Sequence, residues 1–309
     1  MSLIFSLPFE SGFLDIIAGR TLVLASNHRG ENEYDKIKEI TVGKDGTCND
    51  GVRLEVFNGT LRLFDRDKLF CIFSEIGTNG KTTFAVGYST LEVSRHGFDR
   101  LVLYERANLN SVNFGVCISS HVKYEAKTLP VILESLEKSG IEPSRILVVV
   151  GGDKQNDGKE DIVNGVLTIR RNLETMGFIG ISETSKIKNI DYWILLHDTC
   201  NVDLDFADKV GKTDIGLMPD IVLFNPVEKE SEIGIYETDF LSKIDVGTNH
   251  QEMFSNYMLG ASTVMVVESK PEPIKEKDVY GNGNKRKIIS LSTVGVKKYE
   301  GRIARGGRP

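Results

Sequence analysis

The rhythm of apolar and polar positions changes near residue 112. Before it, short runs rich in strand formers recur at Thr21 to Ala25, Val52 to Phe57, Thr60 to Phe64 and Leu101 to Tyr104. Asn-Gly and Asp-Gly pairs separate them, and these residues accept the positive φ of tight hairpins. The pattern predicts a compact antiparallel module.

Beyond residue 112, strand-like and helix-like runs alternate. Phe114 to Ser119 reads as a strand. Leu129 to Lys138 carries Leu129, Ile132, Leu133 and Leu136 at helical spacing and stops before Gly140. Arg145 to Val150 is an unbroken apolar, β-branched run after its first residue, the mark of a strand buried on both faces. Val166 to Arg170 gives a further strand, Glu183 to Ile190 a helix, Tyr192 to Leu196 a strand and Leu204 to Val210 a helix. Ile221 to Phe224 and Thr263 to Val267 are strand-like, and Gln251 to Leu259 suits a helix. Alternation of this kind predicts an α/β fold with a mostly parallel sheet. The expected organisation is a mainly-β domain over 1–111, an α/β domain over 112–300 and a basic flexible tail over 301–309.

The run from Tyr192 to Leu196 ends abruptly at His197 and Asp198. Open α/β sheets bind ligands beyond the carboxyl ends of their parallel strands, so Asp198 is the first candidate for chemistry. His121 and His197 lie near strand ends, where a lone histidine serves structure or substrate positioning more often than catalysis. Trp193 sits inside an apolar strand, which favours the core over a sugar-stacking surface.

Composition narrows the partners. With 309 residues and a formal charge of -6, the chain gives no general case for nucleic acid or anionic membranes. No apolar run approaches the length of a membrane span, and the first residues lack the basic start and apolar core of a signal peptide. Cys48, Cys71, Cys117 and Cys200 are widely spaced without a CxxC pair. Reduced thiols and a cytoplasmic location are expected.

Two resemblances carry specific chemistry. Gly77 to Thr83, Gly-Thr-Asn-Gly-Lys-Thr-Thr, resembles the ATP-binding loop of the Mur ligases, which implies phosphate binding through Lys81. A phosphate loop leads into a helix, whereas Phe84 to Ser89 is rich in strand formers and Asn79-Gly80 favours a hairpin.

The second resemblance spans residues 113 to about 240. Ile118 to Pro130 with its Thr128-Leu129-Pro130, Ile146 to Asp153, and Trp193 to Cys200 follow one another as in the GT-A class of nucleotide-sugar glycosyltransferases, family 2-like. The resemblance implies a GT-A, Rossmann-like sheet and sugar transfer from a nucleotide-sugar donor to a glycan or glycoprotein acceptor. It implies donor contacts from Ser119, His121, Gly151, Gly152, Asp153 and Asp198. Asp198 would also hold a divalent cation, Mn or Mg, in a DxD-like motif. Cys200 replaces the second acid of that motif, and sulfur is a poor ligand for a hard cation. Asp203 and Asp205 are the nearby substitutes. Asp239 and Glu252 stand where this class places its acceptor-side base. The alternative is a non-catalytic binding or structural protein that kept the fold and lost the complete motif. The basic positions from Lys285 to Arg308 either meet a diphosphate or acidic glycan or form a solvated tail.

Overall fold

The computed structural model describes residues 9–10, 12–27, 34–78, 83–89, 100–173, 178–217, 221–224, 233–242, 263–265, 287–291 and 294–300. The chain divides into two compact units. One comprises Met1–Asn108, Asp214–Pro219 and Ser262–Met265; the other holds the remaining residues.

The first unit follows a short helix α1 (Phe13–Ile17) with strands β1 (Thr21–Asn27), β2 (Tyr34–Thr41), β3 (Val52–Phe57), β4 (Thr60–Asp65), β5 (Lys68–Thr78), β6 (Thr83–Ser89) and β7 (Arg100–Glu105). They form one antiparallel sheet in the order β2-β1-β7-β6-β5-β4-β3. Tight hairpins set its register. Asn58-Gly59 joins β3 to β4 with both residues at positive φ, the primed turn that matches strand twist. Arg66-Asp67 repeats that geometry between β4 and β5 without a glycine, so the turn carries no glycine signal. Leu22, Leu24, Leu54, Leu61, Leu63, Phe73, Leu101 and Leu103 build the core on one face. Val23, Ala25, Val102, Tyr104 and Leu217 build a smaller cluster from alternate positions.

The two ends of the Mur-like stretch lie in this sheet. Thr78 of β5 pairs with Thr83 of β6, so a strand rather than a helix follows it. Asn79 to Thr82, including Lys81, lie outside the described residues.

The second unit is mixed α/β with a mostly parallel central sheet. Its elements are β8 (Phe114–His121), α2 (Glu125–Lys138), β9 (Ile146–Gly151), β10 (Glu160–Val163), β11 (Val166–Arg170), α3 (Phe178–Thr184), β12 (Tyr192–His197), β13 (Cys200–Val202), α4 (Phe206–Gly211), β14 (Ile221–Leu223), β15 (Gly234–Glu237) and α5 (Thr238–Leu241). Strand β16 (Thr263–Met265) falls among residues of the first unit. Strands β17 (Lys287–Leu291) and β18 (Val296–Glu300) then pair with β13 in a small antiparallel sheet. The main order is β10-β11-β9-β8-β12-β15-β14, with β11, β9, β8 and β12 mutually parallel.

That order contains a reversal. From β8 the chain steps one way to β9 and β11, then returns to place β12 on the other side of β8. Right-handed crossovers in opposite directions put α2 and α3 on opposite faces. Cys117, Leu147, Val149, Ile169, Trp193 and Leu195 accordingly cluster with Ile179 and Ile181 of α3 and with Phe240 and Leu241 of α5. Alternate strand positions meet α2.

Three elements differ from their expected bounds. Helix α2 begins at Glu125, a turn earlier than the apolar spacing indicates, because Ala126 and Lys127 are exposed and carry no periodicity. Helix α3 precedes the expected Glu183 to Ile190: its buried apolar residues are Ile179 and Ile181, and hydrogen-bonded turns follow it. Strand β10 was not expected, since its residues are mostly exposed.

Trp193 is a core residue at 4% exposure. Its ring occupies the space beside Gly115, where an added Cβ would come within 2.6 Å of it. Gly115→Val is therefore expected to destabilise the chain by about 1–3 kcal/mol through overpacking. Urea denaturation measures this, and an unchanged midpoint would contradict the packing described.

Candidate functional site

The carboxyl ends of β9, β8 and β12 lie side by side, because His121 pairs with Gly151 and Ser119 with His197 across parallel ladders. The three segments singled out in the sequence thus meet at the reversal of strand order, where open α/β sheets form their ligand crevice. Ser119 projects toward α3. Gly180 lets that helix approach, since an added Cβ there would meet Ser119 Oγ at 2.6 Å.

Asp198 is fully buried at this point. Its backbone N–H donates to the Ser119 carbonyl at 3.0 Å. Its Oδ2 accepts from Ser120 Oγ and from Thr128 Oγ1, each at 2.7 Å. The Thr128 hydroxyl also lies 3.0 Å from the Tyr124 carbonyl, and its single proton favours the shorter bond to Asp198. Asp198 Oδ1 is buried with no hydrogen-bond partner among the described residues. The carboxylate ties β12 to β8 and to the first turns of α2.

A second carboxylate network lies across β8. The turn after β9 passes through Gly152 at φ +73, with the His121 ring against it: a Cβ on Gly152 would stand 2.4 Å from His121 Nε2. His121 Nδ1 accepts from the Lys123 backbone N–H at 3.1 Å, so the neutral ring carries its proton on Nε2. Asp153 accepts from the Asn156 backbone and side chain at 3.0–3.1 Å and from Arg170 at 3.0 Å. The Asn156 side chain, with further help from Arg170, holds the Asp153 carboxyl below the usual carboxylate range. Arg170 also reaches Glu125 at 3.1 Å, so the end of β11, the turn after β9 and the start of α2 form one cluster. Next to it, Arg171 grips Glu183 through two bonds of 2.8 and 2.7 Å, and Lys186 adds a third.

The residues around Asp198 do not fit a divalent cation. Among the described residues no group of three or more His, Cys, Asp or Glu side chains is arranged to hold a metal. Cys200 is buried in β13, where burial pushes its thiol up to about 11 and keeps it neutral. All four cysteines are free thiols. Asp203 and Asp205 lie beyond β13, at the start of α4, with Lys297 and Lys209 as partners.

Asp239 is not brought to these strand ends. It sits exposed in the first turn of α5, after β15, and β15 runs antiparallel to β12 with Glu237 beside Tyr192. The Thr238 N–H donates to the Asp191 carbonyl at the start of β12. Asp239 is thus at the amino end of the parallel strands, about 20 Å from the crevice by the rise of a six-residue strand. Its place in the sequence gave no hint that the intervening strand was antiparallel. Glu252, the expected helix around it, the tail 301–309, Lys285 and Arg286 lie outside the described residues. Among the described residues, no helix is long and apolar enough to cross a membrane.

Sequence reasoning missed Thr128 as a carboxylate partner, and missed Arg170 and Asn156 altogether. Thr128 was visible as the first residue of Thr-Leu-Pro, and the hydroxyl inside an otherwise apolar stripe was the available signal.

No protein-family model matches the chain, and no curated protein does. Among solved structures, S. aureus TarS 1-349 aligns over 51% of this chain and 58% of its own, with 15% identity and a TM-score of 0.32. TarS 1-349 in complex with UDP-GlcNAc aligns over 56% and 61%, with 14% identity and a TM-score of 0.33. The chain thus spans less than two thirds of the TarS fragment. Likeness at this level does not decide the function of either unit.

Two outcomes follow from this geometry. Asp198→Ala leaves the buried Ser120 hydroxyl without its acceptor and Thr128 with the Tyr124 carbonyl alone, and is expected to cost about 1–3 kcal/mol, while Asp198→Asn, which keeps a carbonyl oxygen, costs less. Denaturant midpoints of the two variants measure the difference; equal midpoints would remove the strut assigned to this carboxylate. For Glu183, burial raises the pKa, but the bonds from Arg171 and Lys186 outweigh it and leave the group below its ordinary 4.5. Its stabilisation is present above the unfolded value and lost as pH falls through the lower folded one. Wild-type stability should fall below about pH 4.5 more steeply than that of Glu183→Gln, as read from urea midpoints across that range.

Proposed function

We propose that the second unit binds the nucleoside diphosphate of a nucleotide-sugar over the carboxyl ends of β8, β9 and β12, and transfers the sugar to a glycan or glycoprotein hydroxyl. The observation that carries this reading is the meeting of Ser119 to His121, Gly151 to Asp153 and His197 to Asp198 at the reversal of strand order. Gly151 and Gly152 shape that site: the Leu173 carbonyl and the His121 ring take the space that side chains there would fill. Ser119, His121 and Asp153 are the side chains proposed to contact the nucleoside. Asp198, enclosed by Ser120 and Thr128, acts by holding the strand ends rather than by touching the donor.

A nucleotide-sugar joined at its anomeric carbon needs an acceptor oxygen that loses its proton as the bond forms, and a leaving diphosphate whose charge is stabilised. Asp239 lies at the other end of the sheet, and we do not propose it as that base. Glu252 remains the proposed acceptor-side acid.

A second reading is a unit that binds the nucleotide without transferring the sugar. Buried Asp198 and the thiol at Cys200, in place of an open pair of acids, favour it.

A panel of UDP- and GDP-sugars, with and without Mn2+, separates these readings through thermal shift and release of nucleoside diphosphate. Transfer predicts binding and release, both reduced at least about tenfold in Gly152→Ala, whose Cβ displaces His121. Binding without release across a panel of acceptors supports the second reading. Absence of binding contradicts both.

A further inference from the structure

The step from β9 to β11 continues in the direction taken from β8 to β9, so a right-handed crossover helix for it would lie on the α2 face, next to α2. The chain makes the step without one: residues 152–159 and the edge strand β10 connect the two. Beside α2 there is instead a groove of about 720 Å³. Leu129, Pro130 and Leu133 of α2 line one side, and Val163, Val166 and Thr168 the other. Val163 is 56% exposed, and Leu129 and Leu133 are only half-buried.

The lining is acidic as well as apolar. Glu125, Glu134, Glu137 and Asp161 face the groove against one cation, Arg170, which is engaged by Glu125 and Asp153. Lys138 and Lys159 reach Glu134 and Asp161 from exposed positions, where ion pairs neutralise weakly. An occupant must therefore bring apolar surface and positive charge.

We propose that this groove receives an amphipathic helix of a partner protein, with an apolar stripe against Leu129, Leu133 and Val163 and Lys or Arg along its flank toward Glu134, Glu137 and Asp161. A helix of about 5 Å radius, half sunk, displaces roughly 200 Å³ per turn, so the groove takes about three turns. The partner helix fills the position that the fold's own crossover leaves open, and charge complementarity orients it.

The test uses the full chain and two synthetic helical peptides of about 14 residues that share one leucine stripe, flanked by lysine in one and by glutamate in the other. Fluorescence anisotropy should show the lysine peptide binding at least about tenfold tighter. Val163→Asp should weaken it at least about tenfold, and Glu134→Lys with Glu137→Lys should reverse the preference. These positions are exposed, so circular dichroism should show the fold retained. Equal binding of both peptides, no binding of either, or binding indifferent to Val163→Asp overturns the proposal. So does a wild-type dimer in sedimentation that Val163→Asp dissolves, since the face then serves a second copy of the chain.

Discussion

The second unit depends on one buried carboxylate. Asp198 has one oxygen between the hydroxyls of Ser120 and Thr128 and its backbone N–H on Ser119, and it meets no solvent. Burying a polar group is costly unless it is hydrogen-bonded, so these two donors are a condition of the fold at this point. They come from different elements, and the carboxylate therefore fixes β8, β12 and α2 relative to one another. It does so at the place where the strand order reverses, which is also the proposed ligand site.

The other side of β8 is held by the same device in a more open setting. Arg170 joins Asp153 to Glu125, so the first turn of α2 is moored by Glu125 to the β9 and β11 side and by Thr128 to the β12 side. Gly152 completes the arrangement by giving His121 the space of a side chain. These bonds hold the strand ends together, while the groove on the far side of α2, over β10 and β11, is open. That contrast is the physical basis for assigning a small ligand to the first and a partner to the second.

Much of this architecture was legible in the pattern of residues. The continuous apolar runs at Ile146 to Val150 and Tyr192 to Leu196 marked central parallel strands because both of their faces are covered. Strand β10 escaped because an edge strand with mostly exposed residues has no burial to impose a period. Asp198 was legible as a strand-end acid, but its burial was not, since the enclosing hydroxyls come from residues 70 or more positions away. Asp239 looked well placed for a base because linear order says nothing of strand direction, and β15 turned out antiparallel to β12. Arg170 carried no signal of its own; only the parallel pairing of β11 with β9 brings it to Asp153.

The central claim is the proposal that the ends of β8, β9 and β12 form the ligand site. Backbone hydrogen exchange, followed by mass spectrometry with saturating UDP and separately with saturating GDP, tests it most directly. The account predicts that at least one of the two slows exchange in the segments around Ser119 to His121, Gly151 to Asn156 and His197 to Thr199. Protection confined to the amino ends of these strands or to the first unit, or no protection by either nucleotide, would contradict it.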